Sequence, residues 1–423
     1  MKKLFLLISM VTMFSWQQAR ADEGMWTLYN LPSAVYEQMK AEGFEMPYNA
    51  LYQGPDALKG CVVNFSGFCS GVVVSPDGLV FTNHHCGFES IRSHSTVEHD
   101  YMLNGFYAEK PEDELPNKGM FVSFMIDQRD ITDQLNAIAK AKGIAENKWD
   151  EMIDSLQNLM SDSVKKIDST YHLEIDAFYE GNKYYATTYQ MFTDLRLVFT
   201  IPKSMGKFGG ETDNWMYPRH TGDFSLLRVY ADSSNQPADY SPSNVPYRPR
   251  KSFKISTKGV KPGEFAMVYG YPGRTQQFLV SQAVAEVVIH TDPRNIGLRD
   301  QRLAVMRGYM QGNDTIRIKY ASKYADVANA WKKWQGEVDG LTRNHAVEEK
   351  ERLERSFGEW VKADPQRVKT YGYLLDSMAS IYSELEPLNL ISSYLNQGLR
   401  GIESLDFAMS TLPRVPGVAE RPT

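Results

Sequence analysis

The chain has 423 residues, is 42% hydrophobic and carries a formal net charge of −6. That length and apolar content allow a sizeable core and fit two or three domains. Charges of both signs are interspersed without a basic patch or an Arg-rich run, which argues against nucleic acid as a partner.

The first residues read as a processing signal. Lys2 and Lys3 make a basic start, residues 4–16 form an apolar run too short to span a bilayer, and Ala19-Arg20-Ala21 fits an A-x-A cleavage site. A signal peptide over residues 1–21 is therefore expected, with a mature chain beginning at Asp22 and exported to the periplasm or the exterior. Losing the cations Lys2, Lys3 and Arg20 takes the net charge from −6 to about −9. No later stretch is apolar enough to cross a membrane, and export permits disulfides.

Residues 22–43 read as a short leading helix, with Pro32 near its start and Val35 and Met39 as apolar positions, followed by β hairpins and loops from about 51 to 107. The clearest hairpin runs from Cys69 to Cys86. Val72-Val73-Val74 and Leu79-Val80-Phe81-Thr82 are strand formers, and Pro76-Asp77-Gly78 between them is turn chemistry. A bridge from Cys69 to Cys86 would staple this hairpin beside a histidine and leave Cys61 as a buried thiol. Pairing of Cys61 with Cys69 stays open at this level.

Residues 120–126 read as a further strand. Residues 130–167 are helix-forming, with Leu135, Ile138, Ile153, Leu156 and Met160 as an inner stripe, and are expected to be an insertion in a β-rich region. Strands resume at 171–178 and 184–192 around Glu180-Gly181-Asn182, and again at 195–201, 224–230 and 265–271. The glycine-rich segment 203–222 is long enough to be a functional loop. From about Gln282 the composition turns to Ala, Leu, Lys, Glu, Gln and Arg. Helical spacing then runs through 286–311, 316–336, 348–361 and 367–385. Domains are accordingly expected at 22–281, β-rich, and at 282–423, α-helical.

His85 at the end of the stapled hairpin is a candidate general base, and Asp223 at the start of an apolar strand is a candidate orienting acid. A carboxylate facing an imidazole fixes its tautomer and steadies the imidazolium that forms on proton transfer. Taken singly, His85 fits a structural histidine and Asp223 a turn or cap. Their order and local settings together favour the catalytic reading. A metal site on His84, His85 and Cys86 is disfavoured, because adjacent strand residues point to opposite faces and no H-E-x-x-H helix is present.

Thr82-Asn83-His84-His85-Cys86-Gly87 and Gly222-Asp223-Phe224-Ser225-Leu226-Leu227 resemble the chymotrypsin-like serine peptidases. The doubled histidine and the run from Gly210 to Asp223 (Gly-Glu-Thr-Asp-Asn-Trp-Met-Tyr-Pro-Arg-His-Thr-Gly-Asp) narrow the resemblance to the bacterial exported dipeptidyl-peptidase 7 and 11 group, serine peptidase family 46. It covers essentially the whole mature chain. It implies a mainly β fold with α: a chymotrypsin-like double β-barrel with a large inserted helical domain, the second barrel incomplete here. It implies release of dipeptides from peptide N-termini through an acyl-enzyme, with no cofactor and often as a homodimer. His85 would be the base, Asp223 its acid and His84 a structural neighbour. Asn214, Trp215 and Asn329 would hold the free amino group of the peptide. An ammonium wants carbonyl acceptors and an aromatic face, which those side chains offer.

The chain departs from the family pattern in one respect. No Gly-x-Ser-Gly turn, the setting of the nucleophile and of the backbone N–H groups that make an oxyanion hole, occurs after Asp223. The expectation is an N-terminal portion of such an enzyme, from a truncated gene model, that is inactive as written. The alternative is an exported, non-catalytic peptide-binding homologue.

Overall fold

The computed structural model describes residues 25–411 apart from 55, 275 and 277, so the expected signal peptide lies outside the described residues. Eleven strands form one antiparallel sheet: β1 (Val62–Phe65), β2 (Cys69–Val73), β3 (Leu79–Thr82), β4 (Phe106–Tyr107), β5 (Leu115–Pro116), β6 (Val122–Asp130), β7 (Tyr171–Phe178), β8 (Lys183–Phe192), β9 (Leu195–Thr200), β10 (Ser225–Ala231) and β11 (Val245–Pro246). The order is β4-β9-β10-β3-β2-β1-β6-β8-β7, with β11 on β10 and β5 on β9. Among the described residues there is no second sheet.

The hairpin of β2 and β3 forms as its turn chemistry dictates. Gly78 takes φ +73°, and an added Cβ there would meet the Tyr247 and Val229 carbonyl oxygens at 2.8 and 2.9 Å. Only glycine fits so close a backbone approach. Inward residues of the central strands, among them Val63, Phe65, Val73, Val80, Leu197, Leu227 and Val229, are fully buried and make the main core. This is the period-two pattern of strands that face a core.

The helical insertion consists of Thr132–Lys142 and Trp149–Lys165. Its expected stripe packs against the sheet extension: Leu135 is fully buried, and Ile138, Ile153, Leu156 and Met160 cover the same cluster as Leu173 and Ala186. From Ser281 onward every described element is helical: a continuous run over 281–310, then Asp314–Arg343, Ala346–Lys362, Pro365–Tyr371 and Leu374–Ser393, with further helical turns to 411. The 281–310 run is π-helical over Glu286–Thr291, and a second π segment covers Tyr394–Leu399. The Asp314–Arg343 helix docks on the sheet, burying Ile318 in the main core and pairing Arg317 with Asp100.

The described fold joins an antiparallel sheet to a large helical region, as expected. Two expectations are corrected. The leading helix is confined to Ser33–Ala41. Residues 265–271 are not a strand. Among the described residues no ladder partner runs beside them, and the contacts there include Tyr271 N–H to Ser70 Oγ at 2.7 Å and the Phe265 ring on Phe44. Strand propensity without a neighbour leaves backbone groups unpaired, so the segment stays irregular.

Candidate active site

β3 and β10 are neighbours in the sheet, with Thr82 opposite Ser225. The segment leaving β3 and the segment entering β10 therefore emerge at the same end of one ladder. His85 follows β3 and Asp223 precedes β10, so the register alone brings them together. Asp223 Oδ2 lies 2.7 Å from His85 Nδ1, and Asp223 Oδ1 accepts the His85 backbone N–H at 3.1 Å. A carboxylate only accepts, so Nδ1 carries a hydrogen, and in the neutral ring Nε2 keeps its lone pair. Asn83, a residue the sequence did not single out, donates its Nδ2 to the Asp223 carbonyl at 3.2 Å and to Oδ2 at 3.3 Å.

The two side chains differ in exposure, 19% for Asp223 and 67% for His85. Burial on its own would raise the Asp223 carboxyl. The hydrogen bonds and charge of His85 outweigh it and hold the carboxyl below its ordinary value. Among the described residues, no serine hydroxyl is bonded to His85 Nε2.

Cys86 is bonded to Cys69, tying the segment after β3 back to the start of β2, and Cys61 is a buried free thiol. His84 points the other way from His85. It is 2% exposed, its Nε2 has no partner, and its ring lies edge-on to Phe88 with centroids 5.7 Å apart. Burial, with smaller contributions from the neighbouring His85 and Lys207, lowers its pKa to about 4 against a partial offset by Asp223. The ring rests on Gly206, in the loop turn Lys203–Gly206.

The three residues assigned to the amino-group clamp also meet. Asn214 Nδ2 and Trp215 Nε1 both donate to Asn329 Oδ1, at 3.0 and 2.9 Å, and Trp215 Nε1 also reaches the Asn329 carbonyl at 3.1 Å. Trp215 sits at φ +57° and is half exposed. Arg219 donates to Asn214 Oδ1 at 3.2 Å and so sets which way that amide faces. Arg219 was not singled out from the sequence, although it stands in the quoted Gly210–Asp223 run. This contact thus joins the 203–222 loop to the Asp314–Arg343 helix, a juxtaposition of residues more than a hundred positions apart.

The Peptidase S46 family model matches residues 21–418. The chain belongs to peptidase family S46. An Asp/Glu-specific dipeptidyl-peptidase of Flavobacterium psychrophilum is 41% identical to this S46 chain over 404 residues, covering 93% of it and 54% of the relative. A dipeptidyl-peptidase 7 of Porphyromonas endodontalis is 40% identical over 385 residues, covering 90% and 47%. The crystal structure of Porphyromonas endodontalis DPP11 in complex with the dipeptide Arg-Glu superposes with a TM-score of 0.82 at 36% identity, covering 89% of this chain and 54% of that one. This S46 chain spans about half the length of the relatives it matches. No helix among its described residues is long and apolar enough to cross a membrane.

Proposed function

We propose that this chain carries the acid–base half of a serine-type dipeptidyl-peptidase site, with His85 as general base and Asp223 as its orienting acid. The observation that carries the reading is the two-point contact between the Asp223 carboxylate and His85. One oxygen fixes the ring and the other fixes the backbone that bears it. The free Nε2 would take the proton from a serine hydroxyl as it attacks the scissile carbonyl, and return it to the leaving amine. The serine is not provided by a Gly-x-Ser-Gly turn of these 423 residues, and the chain as written is proposed to hydrolyse nothing alone.

Asn214, Trp215 and Asn329 are proposed to hold the peptide's free amino group, at a set distance from the base. The two donors on Asn329 Oδ1 fill its lone pairs, so an incoming ammonium must displace one of them. A charge-assisted bond is roughly twice as strong as a neutral one, which favours the exchange. The chain is proposed to be exported, to bind peptides with free N-termini and to pair as a homodimer.

Two measurements on the 423-residue chain test the reading. A fluorophosphonate probe should leave it unlabelled, and a short peptide should bind with its amino group free but not N-acetylated. A labelled serine, or equal binding of the acetylated peptide, would overturn it. Asn329→Ala should weaken the free peptide by about tenfold.

A further inference from the structure

A cavity of about 370 Å³ lies within the helical region, between the 281–310 run, the Asp314–Arg343 helix and the helical stretch from Leu374 to Leu399. It shares no residue with His85, Asp223 or the clamp. Both π-helical segments border it, and such segments recur at functional sites. Two polar side chains in its wall are almost wholly buried and lack a partner: Asp292, 3% exposed, through Oδ2, and Asn295, 6% exposed, through Oδ1. They stand three residues apart on one helix face. Both free atoms are acceptors once the acid is ionised.

The charge of the wall points the same way. Glu286 and Glu337 add two carboxylates, and the one lysine in the lining, Lys333, is paired with Glu337. Burial, reinforced by Glu337 and only partly offset by Lys333, raises the Asp292 carboxyl to about 7. A buried carboxylate without a partner is costly, and a cation in the cavity would relieve that cost. The space is many times one water's share of about 30 Å³, and within the size of small-molecule sites. A bare calcium ion would need six to eight oxygens close around it, and the buried acceptors without a partner in this wall are two among the described residues. The Tyr382 side chain, also in the wall, provides an aromatic surface.

We propose that this cavity binds a small organic cation, a primary ammonium or guanidinium compound of a few heavy atoms, seated on Asp292 and Asn295. The test is calorimetric titration of the 423-residue chain with 1,4-diaminobutane, with its neutral counterpart 1,4-butanediol and with calcium chloride. Saturable binding of the diamine and a raised thermal midpoint are expected, with the diol silent. Asp292→Asn should weaken the diamine by at least about tenfold while leaving the unliganded midpoint no lower. Asn295→Leu should also weaken it, and serves if the first variant fails to fold. Asn329→Ala, in the proposed amino-group clamp, should leave diamine binding intact, which separates this cavity from that reading. No saturable binding into the millimolar range would overturn the proposal. So would equal binding of the diol, calcium binding in place of the diamine, an unaffected Asp292→Asn variant, or loss of binding in Asn329→Ala.

Discussion

Gly206→Ala tests how tightly the doubled histidine is built into the site. An ideal Cβ on Gly206 would stand 2.7 Å from His84 Cδ2, 2.8 Å from Nε2 and 2.9 Å from Cγ. The ring cannot yield: it is buried and held against Phe88. Overpacking of this kind costs about 1–3 kcal/mol. Gly206 is not among the residues with positive φ, so alanine suits its backbone and returns about 0.4–1 kcal/mol through the unfolded chain. The steric contribution wins, and a net loss of about 1–2 kcal/mol is expected. Met205, next door, accepts the Gly222 N–H at 3.0 Å, so the strain is passed to the segment holding Asp223. Urea denaturation followed by tryptophan fluorescence reads the loss. Removing the ring should remove the clash, so Gly206→Ala should cost little in a His84→Ala background, a coupling of about 1–2 kcal/mol. A neutral or stabilising Gly206→Ala, or losses that add within about 0.5 kcal/mol, would refute the packing argument.

His84 also predicts a pH dependence. Its folded pKa of about 4 lies below the ordinary 6.5, so the unfolded chain binds the extra proton between those values. Stability from this residue is present above 6.5 and drains away as pH falls to 4, by about 3 kcal/mol in total. Urea midpoints should show that slope in the native chain and lose it in His84→Leu. Opening the Cys69–Cys86 bridge, which links residues 17 apart, should cost about 2–4 kcal/mol, seen by comparing melts of the native chain and Cys69→Ser/Cys86→Ser. Asp194 is buried and accepts from Arg196 Nε at 3.1 Å, Arg196 Nη2 at 2.8 Å and Asn244 Nδ2 at 3.0 Å. Asp194→Ala should cost about 3–5 kcal/mol by stranding a buried guanidinium, and a loss under about 1 kcal/mol in chemical denaturation would contradict this.

The parts of the fold that rest on short-range chemistry were legible. The β2–β3 hairpin follows from its Val-rich run and Pro-Asp-Gly turn, and the β7–β8 hairpin from Glu180-Gly181-Asn182. The helical region follows from a change in composition near Gln282. The meeting of His85 and Asp223 was inferable because each stands at the end of a strand, and the neighbouring strands supply the rest. Features that depend on a distant partner were hidden. Residues 265–271 have strand composition but no ladder to join. Asn83 reads as a loop residue until Asp223 is beside it. Asp292, just ahead of Pro293, looks like an ordinary helix start, and only the packing of three helices encloses it.

The acid–imidazole pair belongs wholly to the sheet, whereas the Asn214–Trp215–Asn329 contact bridges the sheet's loop and a helix of another layer. That helix is itself seated on the sheet, with Ile318 in the main core and Arg317 paired with Asp100. On the proposed reading, the spacing between amino-group anchor and general base would therefore be set by how this one helix packs on the ladder, and with it the length of the dipeptide unit.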